Sequence, residues 1–129
     1  VNADDRRRLR LLKARLPKAW CLETTSLNCR DSWSRRKPSV GQCVPTALIV
    51  QDLFGGEIIK VAANTAGAHY YNRLPDGRIL DLTKDQFRRG TRYNGYEVFT
   101  RWKLLDSPPA REAMIPRQYE LLRKRLGAI

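Results

Sequence analysis

Three residues of this chain could together perform acyl chemistry: Cys43, His69 and Asp81, in that order. A thiol attacks a carbonyl only as thiolate, and a nearby imidazole is the group suited to take its proton at neutral pH. A carboxylate on the far side of the ring fixes the tautomer and steadies the imidazolium. An oxyanion would need donors as well. The backbone N–H of Cys43 is the first candidate and the side-chain amide of Gln42 the second, although Gln42 could equally face away and cap its loop. Taken singly each residue has a plainer reading. Cys43 could be an inert buried thiol, His69 a hydrogen-bonded structural residue and Asp81 a cap or a solvated charge. The case for a site rests on whether local structure brings them together.

Two elements must do so. Gly41 punctuates the chain, Pro45 fits only the first turn of a helix, and Gly55-Gly56 supplies a stop. Ala47, Leu48, Val50, Leu53 and Phe54 make the intervening helix mostly apolar and therefore largely buried. Cys43 falls at its N-terminal end, where the partial positive charge of the helix favours a thiolate. His69 and Asp81 flank Leu74-Pro75-Asp76-Gly77-Arg78, the chemistry of a type I turn followed by glycine at a left-handed position. A three-residue loop pairs Leu74 with Arg78, Tyr71 with Asp81 and His69 with Thr83. His69 and Asp81 then share a sheet face as diagonal neighbours, about 7 Å apart at the backbone. A two-residue Asp76-Gly77 loop would put Asp81 on the other face. In the favoured register Tyr70 and Asn72 face away from His69, toward the helix or solvent, and Asn72 reads as structural.

Around this centre, residues 4–16 predict a helix with Leu9, Leu11, Leu12 and Leu16 as its apolar stripe, Asp4 and Asp5 at its start and Pro17 at its end. Trp20 to Val40 reads as about 20 irregular residues, long for a connection, with Trp20 and Trp33 as anchors. Glu57–Ala63 predicts a strand, His69–Leu74 and Arg78–Leu82 two more. Thr83 and Gln86 suggest a capping box opening a helix. Tyr93 to Tyr96 reads as a turn followed by a strand over Glu97–Trp102. Pro108-Pro109 breaks the chain, and residues 110–126 form a basic amphipathic helix interrupted near Pro116. These elements predict an α+β fold, one compact domain of helices packed on a small antiparallel sheet. Its parts are a basic N-terminal helix (1–19), a core with Cys43, His69 and Asp81 (20–87), and a strand with a basic C-terminal helix (88–129).

Several blocks carry a family resemblance. Gly41-Gln42-Cys43, Thr46-Ala47-Leu48, Val50-Gln51-Asp52, Phe54-Gly55-Gly56-Glu57-Ile58, His69-Tyr70-Tyr71-Asn72, the Leu74–Gly77 turn and the run from Asp81 to Phe87 resemble the YunG-like family of small uncharacterised bacterial proteins. Trp20 to Ser26 continues the likeness, with Cys21 where a small polar residue is more usual. The resemblance implies a compact protein of helices and strands and assigns no reaction. The layout also resembles the plan of papain, transglutaminase and NlpC/P60 enzymes, with Cys at a helix start and His and an acid on adjacent strands. That likeness implies a papain-like core, with Cys43 as nucleophile, His69 as general base and Asp81 as orienting acid.

Composition bounds the alternatives. The 129 residues carry 25 Lys and Arg against 13 Asp and Glu, a net charge of +12. Residues 1–38 hold 11 basic and 4 acidic side chains, residues 39–82 hold 3 and 4, and residues 83–129 hold 11 and 5. The excess lies on the flanks, and the centre that holds Cys43, His69 and Asp81 is nearly neutral. The leading expectation is a thiol-dependent hydrolase or acyltransferase acting on an amide- or peptide-containing substrate, without a cofactor. The alternative is a non-catalytic binding protein whose basic flanks contact nucleic acid or an acidic partner, although no helix-turn-helix or zinc-finger motif is evident. A third is a non-catalytic module, such as an inactive relative or an antitoxin-like partner binder. A metal site is not expected: His69 is the only histidine, and the Cys21, Cys29 and Cys43 spacings fit no paired-ligand motif. Three cysteines make poor disulfide arithmetic. With no secretory h-region and no apolar run near the roughly 18 residues of a membrane span, a soluble, cytoplasmic protein is expected.

Overall fold

The chain's most apolar helix sits at its centre. In the computed structural model, which describes residues 2–129 and so leaves Val1 of the N-terminal stretch outside, α2 runs Cys43–Phe54 and buries six consecutive residues, Pro45 to Val50. Such all-round burial requires neighbours on every side, and α4 (Ile115–Leu126) and the sheet provide them. Gly55 ends α2 with φ 74, as the Gly-Gly stop predicts. The first helix, α1 (Ala3–Ala19), differs from expectation at both ends. Asn2 caps it, its side chain accepting from the Asp5 N–H at 2.8 Å, so Asp4 and Asp5 occupy the first turn alone. Pro17 does not end it. In the last turn a proline removes only its own bond, and the buried Leu12, Leu16, Ala19 and Trp20 hold the turn in place.

Four strands, β1 (Glu57–Ala63), β2 (Gly67–Arg73), β3 (Ile79–Leu80) and β4 (Tyr93–Phe99), form one antiparallel sheet in the order β3-β2-β1-β4. The β2–β3 hairpin has the register the turn chemistry predicts. Leu74 N–H donates to Arg78 O at 2.8 Å, and Asn72 pairs with Leu80. The ladder is shorter than expected, because only Ile79 and Leu80 pair before the chain turns at Asp81. One sheet face carries Ile58, Tyr70 and Asn72 toward α2, and Asn72 Nδ2 donates to Ala47 O at 3.0 Å. The other face carries Ile59, Val61, His69 and Tyr71.

The Asn94-Gly95 pair, whose residue types predict a turn, lies inside β4. Lys60 pairs with Glu97 but Ala62 pairs with Asn94, so Gly95 and Tyr96 together oppose Val61. This is a bulge, and Gly95 has φ 70 within it. A bulge and a hairpin turn call for the same positive-φ residues, which is why the two are confused in sequence. The extra residue has a consequence for the site. It turns Tyr93 onto the face of Ala63 and His69, whereas an unbroken strand would have aligned it with Phe99 on the α2 side. β4 stops at Phe99, and Trp102 begins a short π-helical turn, Trp102–Asp106, instead of ending the strand.

The segment from Trp20 to Val40 contains two 3-10 turns, Leu22–Thr24 and Leu27–Ser32. Trp20 is an anchor, buried with its Nε1–H on Thr46 Oγ1 at 3.0 Å; half-buried Trp33 closes only its own loop by donating to Pro38 O. Pro108-Pro109 opens a helix where a break was expected. Ser107 caps α3 (Pro108–Glu112), in which the prolines take first-turn positions that need no N–H. The interruption expected near Pro116 falls at Met114, whose φ of 63 separates α3 from α4. Helices packed on one antiparallel sheet give the α+β class and the single compact domain expected from the sequence.

Candidate active site

The loop before α2 is built to hold Cys43 at the helix start. Gly41 has φ 71, and a Cβ there would come within 2.6 Å of Thr25 Cγ2 and 2.7 Å of Cys29 Cβ. Only glycine meets both demands. Gly41 O accepts from Ser26 N–H at 2.9 Å. Gln42 is wholly buried, and its carboxamide is fully engaged. Oε1 accepts from Thr24 Oγ1 at 2.8 Å, while Nε2 donates to Cys21 O at 3.1 Å and Thr25 Oγ1 at 2.8 Å. Both amide hydrogens are thereby used, so Gln42 has the loop-tying role weighed against that of oxyanion donor. Cys43 follows as the first residue of α2, half-buried, where helix N–H groups have no partner within the helix.

His69 lies in β2 with no exposed surface, and Asp81 follows β3. The imidazole Nε2 is 2.9 Å from Asp81 Oδ2 and 3.0 Å from Oδ1. A carboxylate there holds a proton on Nε2 and leaves the buried Nδ1 as the nitrogen that gains and loses the second one. Nδ1 has no well-aligned hydrogen bond among the described residues. The Cys43 thiol lies close enough to act on the ring through a looser side-chain contact and its charge. Burial pushes the imidazole's pKa down, but the bond to Asp81 and the thiol together outweigh it, and the net value is raised from 6.5 to about 9. Burial, then the Cys43 charge, also pushes up the Cys29 thiol.

Three further residues shape the site, and sequence reasoning assigned none of them to it. Tyr93 donates its hydroxyl to Asp81 Oδ2 at 2.9 Å, and burial with the Asp81 charge pushes its own pKa up. Only the β4 bulge puts it there, so no spacing rule would have found it. Phe87 meets the His69 ring edge-on, 4.8 Å between centroids and 87° between planes. Gln86 has the spacing of a capping-box partner for Thr83, but Thr83 makes no side-chain cap and the segment is a single 3-10 turn, Lys84–Gln86. Gln86 Oε1 instead accepts the Gly41 N–H at 3.1 Å, tying this turn to the loop that bears Cys43.

The structure thus joins His69 to Asp81 directly and brings Cys43 to bear on the same imidazole. Beyond Asp81, the sheet face opens into a cleft of about 490 Å³ lined by Ile59, Tyr71, Arg73, Lys84, Tyr93 and Val98. Among the described residues no three His, Cys, Asp or Glu side chains converge to hold a metal, and no helix is long and apolar enough to cross a membrane.

Comparison with known proteins places the chain beside others without an assigned reaction. Residues 8–129 match the family model described as YunG protein. The "Uncharacterized protein YunG" of Bacillus subtilis (strain 168) is 37% identical over 71 residues, which is 55% of this chain and 60% of that relative. The matched region therefore leaves two-fifths of the relative's length uncovered. No solved structure matches.

Proposed function

The chain belongs to the YunG protein family, and from the geometry of its site we propose a thiol-dependent hydrolase or acyltransferase acting on an amide or peptide bond. Cys43 is the nucleophile, His69 the general base and Asp81 the orienting acid. One observation carries the reading. A fully buried imidazole has one nitrogen held by a carboxylate and the other without a well-aligned hydrogen bond among the described residues, with a helix-terminal thiol acting on the ring. A buried imidazole whose pKa is raised to about 9 by a carboxylate and a thiol is suited to hold the proton that a thiolate nucleophile must give up. The order of parts is similar to that of papain, transglutaminase and NlpC/P60 enzymes, a likeness of layout that supports the reaction class and leaves the substrate unnamed.

The steps follow from these roles. The Cys43 proton rests on His69 Nδ1, whose pKa of about 9 keeps it there at neutral pH, and the thiolate sulfur attacks the carbonyl carbon. A C–S bond forms while the carbonyl π pair moves to oxygen, facing the Cys43 N–H. Collapse breaks the C–N bond, and the departing amine takes the proton from His69. The thioester left on Cys43 is opened by water, or by an amine in the transfer reaction, which gives its proton to Nδ1 as it attacks. That proton stays on Nδ1 beside the expelled thiolate, which restores the resting pair.

Alkylation with iodoacetamide tests the nucleophile. At about pH 6.5 an ordinary thiol is almost wholly protonated, so Cys43 should be modified well ahead of Cys21 and Cys29, and His69→Ala should abolish the lead. Equal rates at the three cysteines, or a Cys43 rate indifferent to His69→Ala, would overturn the reading.

A further inference from the structure

We propose that the carboxamide of Gln86 is the second oxyanion donor of this site, the role that Gln42 is too fully bonded to fill. The inference rests on the acyl-transfer reading above, and four observations on the residue itself lead to it.

First, the amide has one orientation. Its Oε1 accepts from Gly41 N–H at 3.1 Å, and a flip would set two donors against each other. Second, Nε2 then points away from Gly41, is buried, and meets no acceptor among the described residues. Gln42, 44 residues earlier, shows the contrast, with every hydrogen of its amide placed. Third, the turn that ends at Gln86 is tied to the nucleophile's loop and leads into a contact with the base. Gly41 precedes Cys43 by two residues, and Phe87, the residue after Gln86, packs edge-on against the His69 ring. Fourth, unmet buried side-chain groups are few. The buried side-chain polar atoms without a partner among the described residues are Ser39 Oγ, His69 Nδ1 and Gln86 Nε2. Ser39 lies in the same loop as Gly41, which the bond to Gln86 ties to the Lys84–Gln86 turn. Buried polar groups are ordinarily satisfied within the protein, and a buried amide hydrogen that is not, on a side chain tied to the nucleophile's loop, is suited to a polar ligand atom.

The chemistry matches. A tetrahedral intermediate places negative charge on the former carbonyl oxygen, and preorganised N–H donors stabilise it most where water is excluded. Cys43 N–H supplies one donor from the helix start. Gln86 Nε2–H supplies the other, its carboxamide held by the Gly41 bond without further reorganisation. No bond to Gln86 forms or breaks during the cycle.

Paired variants separate this role from a structural one. Gln86→Glu keeps an oxygen for the Gly41 N–H and supplies no donor; Gln86→Met is neutral and supplies neither. Each is compared with the unaltered protein in two reactions at Cys43. One is acylation by p-nitrophenyl acetate, followed by p-nitrophenolate release and by acetyl mass on the Cys43 peptide. The other is alkylation by iodoacetamide, a displacement at saturated carbon that develops no oxyanion. Acylation should fall roughly 10²–10³-fold in both variants while alkylation is little changed. Acylation as fast in Gln86→Glu and Gln86→Met as in the unaltered protein would overturn the assignment and leave the acyl-transfer reading standing. Equal loss in both reactions would show Gln86 to be a positioning residue only, which also overturns it. Failure of the unaltered protein to acylate on Cys43 would overturn both.

Discussion

His69 is under opposed influences that can be measured one at a time. Dehydration inside the sheet face disfavours the imidazolium, and Asp81 and Cys43 favour it strongly enough to raise the pKa to about 9. As the only histidine of the chain, it should show a single imidazole C2–H resonance whose NMR titration needs no assignment. Asp81→Asn removes the carboxylate and should move the midpoint down by at least about one unit, since burial then meets less opposition. A midpoint that stayed near 9 would mean that Cys43 alone holds the proton. Tyr93→Phe should act in the opposite direction. Its hydroxyl donates to Asp81 Oδ2, and a carboxylate relieved of that donor binds the imidazolium more tightly, so the midpoint should not fall. The lost bond to a charged acceptor should cost about 1.5–3 kcal/mol in denaturant unfolding.

The elements of the site can be tested through the glycine that sets the nucleophile's loop. At Gly41 an added Cβ meets Thr25 and Cys29 at under 3.0 Å and the φ is positive, whereas at Gly77, also of positive φ, nothing lies within 4 Å. Gly77→Ala should therefore cost only the backbone term, about 1–2 kcal/mol, and Gly41→Ala that term plus the clash, on the order of 3–4 kcal/mol. Equal unfolding midpoints for the two variants would contradict this packing. The same contrast explains which parts of the fold are legible in the sequence. Pro45 with Gly55-Gly56 bounds α2, and Pro75-Asp76-Gly77 sets the β2–β3 register, because each constraint is local to a few backbone angles. Those two elements suffice to mark Cys43, His69 and Asp81 as one candidate site. Nonlocal choices are not legible. Asn94-Gly95 suits a turn and a bulge alike, and only pairing with β1 decides between them. Gln86 suits a capping box and a long-range bond to Gly41 alike, and Pro17 stays helical because Leu16 and Ala19 are buried by distant elements. Tyr93 and Gln86 are thus hidden for one reason, that their partners are far away in sequence.

On the scale of the whole molecule the net charge of +12 looks like the dominant electrostatic fact, yet it does not govern stability near neutral pH. The Lys and Arg that supply it lie mostly on the two flanks of the chain, 22 of the 25 outside residues 39–82. The ion pairs they form, such as Arg73–Glu57 and Arg123–Glu120, are at the surface and worth little. The groups that change between pH 6.5 and 9 include the imidazole at the centre. His69 binds its proton more tightly folded than unfolded, with a pKa of about 9 against 6.5. Its contribution is therefore complete below pH 6.5 and is lost as pH rises through about 9, because the unfolded chain releases the proton first. That difference amounts at most to about 3 kcal/mol. Cys29, its thiol pushed up by burial, adds a term of the same sign at the upper end of the range. Urea unfolding at a series of pH values from about 6 to 9.5 should show ΔG falling steadily. Cys29→Ser should retain most of the slope, and His69→Gln should flatten it whatever its absolute stability. A slope unchanged in His69→Gln would place the linked proton elsewhere, and would remove the claim that this buried imidazole is held charged between Asp81 and Cys43.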